Sequence, residues 1–226
     1  MMNQLEQVHR EMKACRRCLE AGYDIAPGAI FSGSTEAEVM IIGQAPGLTE
    51  VEAQRPFNAS SGRRLFAWLE AAGWTESDFR KQHYMTAVTK CYPGKHPSGR
   101  GDRVPTSVEQ SFCRSFLEAE LALIRPRLIL PVGGLAIKLW FPASIRLREV
   151  IGRAAYFPPG SWHGGAAFDL SRATVVDTFD ATLSAKGRWL VPLPHPSGAS
   201  AWPNRPRNRA LIDKALAILA EIRQVL

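Results

Sequence analysis

Ile41-Ile42-Gly43-Gln44-Ala45-Pro46-Gly47-Leu48-Thr49-Glu50 (IIGQAPGLTE) starts as a buried apolar run and breaks into a Gly/Pro turn with almost no charge. With Val39 and Met40 before it, the run has the length and closure of a short strand that delivers a loop. Three other runs share that character, Tyr84 to Lys90, Leu128 to Val132 and Leu190 to Leu193. Helical patterns fall between them. Ser61 to Ala72 places Leu65, Trp68, Leu69 and Ala72 at helical spacing and stops before Gly73. Thr106 with Glu109 reads as a capping box opening a helix through Phe112, Phe116, Leu117 and Ile124, which Pro126 ends. A last helix, Asn208 to Val225, carries Leu211, Ala215, Leu216, Leu219 and Ile222 on one side. Strands alternating with helices predict a mostly parallel sheet covered on both faces. Ligands of such sheets sit beyond the carboxyl ends of the strands, where Gln44, Cys91 and His195 fall.

The 226 residues, 46% hydrophobic and 22% charged, fit one globular domain over residues 1–226 and exclude a disordered or fibrous chain. A formal charge of +7 and a pI near 9.5 point to an acidic partner, nucleic acid first. Met1 to Cys18 is polar and mixed in charge, unlike a signal peptide, and no apolar run approaches membrane length; the cytoplasm is the expected compartment, with no membrane partner. Two stretches stand outside the alternation. Gly94 to Pro105 (GKHPSGRGDRVP) is a basic Gly/Pro loop, and Ala143 to Lys186 is a long insertion-like stretch with one strand candidate at Ala173 to Phe179. Long loops are commonly solvated surface, and are also where binding function concentrates.

The four cysteines are Cys15 and Cys18 (CRRC), Cys91 in TKCYPG and Cys113 in SFCRSF. A close pair and two distant single residues can converge on one four-thiolate site, for which zinc and an iron–sulfur cluster are both suited. The plainer readings are buried thiols, or CRRC alone as a redox pair. His195 leaves a strand into LPHPSGAS, where Pro194 and Pro196 restrict the backbone and aim the imidazole. Alone it would be an ordinary hydrogen-bonded histidine. Near the second rigid turn, GQAPG, it reads as part of a site.

The ordered set GQAPG, RPF..SSG, YMTAVTKC, Cys113 and HPSGAS resembles the uracil-DNA glycosylase superfamily, most of all its iron–sulfur-bearing family 4 and family 5 members. The resemblance runs from Cys15 to about Trp202, and its fold is a three-layer α/β/α arrangement with a central four-stranded, mostly parallel sheet. It implies that Cys15, Cys18, Cys91 and Cys113 hold a structural 4Fe-4S cluster, zinc becoming the minor alternative. It implies that Gly43, Gln44 and Ala45 line the base pocket, that Phe57 stacks on the extracted base for about 1–3 kcal/mol, and that His195 hydrogen-bonds O2 of the leaving uracil. Ser197 or Ser200 would hold phosphates, as would basic residues flanking the motifs, among them Lys90, Arg100, Arg103, Arg205, Arg207 and Arg209. The partner it implies is uracil-containing DNA, with a monomer as the expected state.

Three departures qualify the resemblance. Family 1 has Asp in GQDPYH and family 4 has Glu in GEAPG, whereas this chain has Gln44 and Ala45; Gln44 can hydrogen-bond a base but cannot be a general base. Glu50 and Glu52 are the nearby carboxylates, each reading first as an exposed helix-start charge. Ala87 stands where family 4 carries an Asn that reads the uracil edge, leaving Asn58 and Gln44 as substitutes. Ala199 replaces the family 1 leucine wedge, so Trp202 or an arginine of the 94–105 loop would enter the stack. The alternatives to uracil excision are a glycosylase for hypoxanthine or xanthine and a noncatalytic DNA-binding protein of the same fold.

Overall fold

The computed structural model describes residues 3–99, 101–161, 168–183, 186–197 and 201–226. Helices α1 (Gln4–Ala14) and α2 (Arg17–Glu20) precede β1 (Val39–Gly43), and α3 (Leu48–Ala53), α4 (Ser60–Ala71) and α5 (Glu76–Gln82) lead to β2 (Tyr84–Ala87). Then follow α6 (Ser107–Ile124), β3 (Leu128–Pro131), the single turns α7 (Gly134–Ile137) and α8 (Leu147–Val150), β4 (Ala154–Phe157), β5 (Thr174–Val176), β6 (Arg188–Leu190) and α9 (Pro206–Arg223). The sheet order is β2-β1-β3-β6-β4-β5. The expected four-stranded parallel sheet is β2-β1-β3-β6, and β4 adds antiparallel to β6 and β5 antiparallel to β4.

The sheet therefore has six strands, not four. Both extra strands come from the 143–186 stretch, whose described residues widen the sheet as well as looping over its surface. β5 lies inside the Ala173 to Phe179 candidate. β4, the sequence AAYF, sets two strand-poor alanines before two strand-favouring aromatics and has no apolar/polar alternation, so its pairing with β6 decides its state.

Alternate residues of the central strands feed two cores. Val39, Ile41, Leu128 and Leu130 face α4, α5 and α9, while Met40, Ile42 and Ile129 face α1 and α6. The last parallel strand is shorter than its apolar run because Pro192 and Pro194 have no N–H to give. The ladder nevertheless continues past them, with Val191 N–H donating to Ile129 O (3.0 Å) and Leu193 N–H to Pro131 O (3.0 Å). The outer edge of β2 is covered by residues 26–32, where Ser32 and Met85 exchange both backbone bonds and Ala26 N–H donates to Tyr92 O. This return brings the N-terminal cysteines to the exit of β2. Thr106 caps α6 as expected, with Glu109 closing the box. No helix among the described residues is long and apolar enough to cross a membrane.

Between the sheet, α6 and α1 lies a buried charged network. Lys90, 1% exposed, gives its three ammonium protons to Thr86 Oγ1 (2.7 Å), Ala87 O (2.8 Å) and Glu120 Oε2 (2.5 Å). Glu120, fully buried, also accepts from the hydroxyls of Tyr84 (2.9 Å) and Thr86 (3.0 Å). The Tyr84 proton is thus committed, so His9 Nε2–H donates to Tyr84 Oη (2.7 Å). Burial lowers the His9 pKa, which keeps that ring neutral. Lys90 is accordingly an internal strut and not a phosphate contact. Lys90→Met should destabilise the protein by about 3–5 kcal/mol because it strands a buried carboxylate, and the double change Lys90→Met with Glu120→Leu should recover much of the loss. Anaerobic denaturant unfolding of the three proteins checks this.

Candidate active site

β1 pairs with β2 on one side and β3 on the other, so the chain reverses its direction of travel across the sheet at β1. A cavity of about 360 Å³ opens there, beyond the strands' carboxyl ends, as expected for a doubly wound sheet. Gly43, Gln44 and Ala45 form its floor, Ala87 one wall, and Phe57 reaches it from one loop while His195 and Ser197 reach it from another. Asn58 does not line the cavity. Arg103 does, but both of its terminal nitrogens grip buried Glu109 (2.7 and 2.6 Å), so it clasps its own loop to α6 instead of offering a free cation to phosphate. Arg100, Ala199 and Ser200 lie outside the described residues. Trp202 packs partly buried against the core, while Arg205, Arg207 and Arg209 are exposed at the start of α9.

Phe57 is held with unusual care. Its φ is +51°, a left-handed value that costs an aromatic residue energy and needs surrounding bonds to maintain it. Glu50 supplies one side, accepting from Gly47 N–H and from Phe57 N–H (3.0 Å) and so tying the GQAPG turn to the aromatic loop. Arg80 supplies the other, donating to Pro56 O (2.9 Å) and Phe57 O (2.8 Å). The start of α4 presses so close that a Cβ on Gly62 would lie 1.9 Å from Phe57 O. Glu50 is therefore a half-buried backbone clamp and not an exposed helix-start charge; burial pushes its carboxyl up, the Gly47 and Phe57 N–H groups draw it down, and nearby Asp102 pushes it up again. Glu52 is exposed.

His195 stands at the mouth of β6. Gly133, at the end of β3, takes φ +88°, and a Cβ there would come 3.2 Å from the imidazole, so a bare residue lets the ring lie against the turn. Ser197 N–H donates to His195 Nδ1 (3.2 Å). In the neutral ring this bond leaves the proton on Nε2, the atom without a protein partner among the described residues. The cavity brings solvent to the ring, yet protein surrounds it, and that burial lowers its pKa. At neutral pH the site presents a neutral imidazole as an N–H donor. Gln44 adds a side-chain amide with no hydrogen-bond partner among the described residues.

The four cysteines border a second, smaller gap between α1, α2, the exit of β2 and α6. All four thiols are free, Cys113 being buried and the others partly so. Burial followed by the neighbouring thiols pushes Cys18 up to about 12, and burial pushes Cys91 up to about 11 and raises Cys113. Backbone N–H groups of Gly28 and Lys90 favour the thiolates of Cys91 and Cys113 respectively. Four thiolates could share this space only around a positive centre. Among the described residues no three His, Cys, Asp or Glu side chains are grouped closely enough to hold a single metal ion. The donor set, four cysteine sulfurs around one gap, is of the kind that both zinc and an iron–sulfur cluster accept.

The chain matches the family model described as the uracil DNA glycosylase superfamily over residues 30–220. The chain belongs to this superfamily. Among its curated relatives, a type-4 uracil-DNA glycosylase of Pyrobaculum aerophilum is 31% identical over 153 residues, covering 67% of this chain and 68% of the relative. That of Archaeoglobus fulgidus is 32% identical over 62% of this chain and 65% of its own length, and that of Thermotoga maritima 26% identical over 71% and 76%. Gln44, Phe57 and His195, expected together in one site, line one cavity. Sequence reasoning missed Gly133, Arg80, Tyr92 and Asp102. Gly133 was open to discovery, because Val132-Gly133-Gly134 follows β3 and the strand-end rule that selected Gln44 applies equally there.

The pH dependence follows from the lowered histidine. Above the ordinary value of about 6.5 the Ser197 contact is intact. As pH falls through the depressed value, Nδ1 gains a proton, stops accepting, and the stability from that contact is lost. Nitrogen-15 histidine NMR should place the His195 transition below 6.5 with the proton on Nε2 in the neutral form, and Ser197→Pro, which deletes that N–H, should let the Nδ1–H tautomer appear.

Proposed function

We propose that this protein is a DNA-repair glycosylase that hydrolyses the N-glycosidic bond of uracil in DNA and leaves an abasic site. The observation that carries the reading is the His195 Nε2–H, its tautomer set by Ser197, presented into the cavity that Phe57 lines. A uracil within a duplex is out of reach, so the nucleotide must be extruded into the cavity, where it stacks on Phe57. Bond cleavage leaves positive charge on the sugar and negative charge on the base. A fixed donor at O2 stabilises the anion more than it stabilises the neutral base, and Gln44 supplies a second polar contact at the base edge. Removing one such donor typically costs 10²–10³-fold in rate.

Cys15, Cys18, Cys91 and Cys113 are assigned to a 4Fe-4S cluster, which when bound crosslinks the N-terminal helices, the exit of β2 and α6. In supporting DNA, Ser197 meets phosphate at the cavity mouth, and the exposed arginines of α9 with the net charge of +7 add attraction that salt weakens. Ala87 supports a second reading, excision of another deaminated base such as hypoxanthine, because a methyl group at that wall reads no base edge.

Anaerobically purified protein in excess over uracil-containing single- and double-stranded oligonucleotides should generate alkali-labile breaks, and His195→Ala should slow them by about 10²–10³-fold with DNA affinity retained. Breaks that depend on hypoxanthine instead would select the second reading. Iron and sulfide analysis should give a cluster stoichiometry that Cys113→Ser reduces.

A further inference from the structure

Hydrolysis at C1′ needs a water that is oriented and relieved of a proton, and the first motif offers only the Gln44 amide and the Ala45 methyl. Two carboxylates among the described residues line the cavity, Glu50 and Asp102. Glu50 uses both oxygens on the backbone N–H groups of Gly47 and Phe57, and releasing either would undo the aromatic loop. Asp102 is placed differently. Buried Tyr92 donates its hydroxyl to Oδ1 (3.0 Å), while Oδ2 points at the GQAPG turn, 3.3 Å from where a Cβ on Gly47 would stand. Among the described residues no hydrogen-bond donor meets Oδ2.

The loop bearing Asp102 is built to hold it. Lys95 and Asp102 pair as an antiparallel bridge, Arg103 N–H donates to Gly94 O (3.0 Å), and His96 N–H donates to Gly101 O (2.9 Å). The next side chain, Arg103, anchors this small hairpin to Glu109 of α6 through two bonds. One oxygen is thus fixed by Tyr92 and the other is left exposed over the floor of the cavity. That is the arrangement of a base whose orientation is set by one partner while a second position awaits the reacting molecule.

Resting on the glycosylase reading above, we infer that Asp102, carried by the basic 94–105 loop, is the catalytic carboxylate that orients the attacking water and takes its proton. The water oxygen forms the bond to C1′ as the C1′–N1 bond breaks with its electron pair moving to the base. One water proton passes to the Asp102 carboxylate and the other remains in the new sugar hydroxyl. Asp102 then returns its proton to the departing base anion or to solvent, so the enzyme ends unchanged. The charged and titratable groups about Asp102 are Glu50 from α3, Tyr92 after β2, Lys95 and Arg103 on its own loop, and His195 across the cavity.

Single-turnover release of uracil from a single-stranded oligonucleotide tests this with wild type, Asp102→Asn, Asp102→Ala and Tyr92→Phe. Asp102→Asn keeps an acceptor for Tyr92 and so keeps the loop latched. Its rate should fall at least 100-fold while the DNA dissociation constant stays within threefold and the cluster absorbance is unchanged. Added formate should restore part of the Asp102→Ala rate and none of the smaller Tyr92→Phe loss. An active wild type matched within threefold by Asp102→Asn overturns the assignment and leaves Asp102 a loop latch. A wild type that releases no uracil overturns the glycosylase reading and this one with it.

Discussion

A lysine almost wholly shielded from solvent is held between the cavity and the thiol gap of this protein. Lys90 directs its three protons at Thr86, Ala87 and Glu120, and its neighbours in sequence are a cavity wall at Ala87 and a thiol at Cys91. An unpaired ammonium there would be intolerable, so the positions of α6, β2 and the β2 exit are set jointly by the need to satisfy it. The pair is of doubtful net value to stability, since an apolar substitute could serve as well. Its worth lies in specification, because only one arrangement of the strand end gives the ammonium all three partners.

The cavity assembles from segments that each carry their own restraint. Phe57 keeps a left-handed backbone because Glu50 and Arg80 hold its N–H and carbonyl, and His195 keeps one tautomer because Ser197 holds Nδ1. Neither restraint uses the group that faces the cavity. The Phe57 ring and the His195 Nε2–H are left facing the cavity while the backbone groups beside them are engaged, an arrangement that needs little reorganisation when a ligand enters.

The parallel core was legible because its strands are continuous apolar runs punctuated by Gly and Pro, and the capping box at Thr106 and Glu109 formed as written. The sheet's two extra strands were harder to read. β4 has no alternation and only two strand-favouring residues, Tyr156 and Phe157, and it exists through its partner β6. Gln44, Phe57 and His195 could be placed together from motif order, whereas Lys90 and Arg103 were misread as surface cations. A lysine or arginine in sequence carries no mark of the carboxylate that will meet it; Glu120 and Glu109 lie on a helix that only the fold brings near. Tyr92 and Asp102 escaped for the same reason, being ten residues apart and joined by a loop whose bend no periodicity announces.

The six residues from Ala87 to Tyr92 carry an unusual density of duties. Ala87 faces the cavity, Lys90 the buried carboxylate, Cys91 the thiol gap and Tyr92 the Asp102 loop. Each depends on the others through register alone, since the segment has no spare residue to absorb a slip. Such a segment can vary in side chain but hardly in length. An inserted or deleted residue there would part at least one of these side chains from its partner, so the length of the segment is as much a part of both sites as its chemistry.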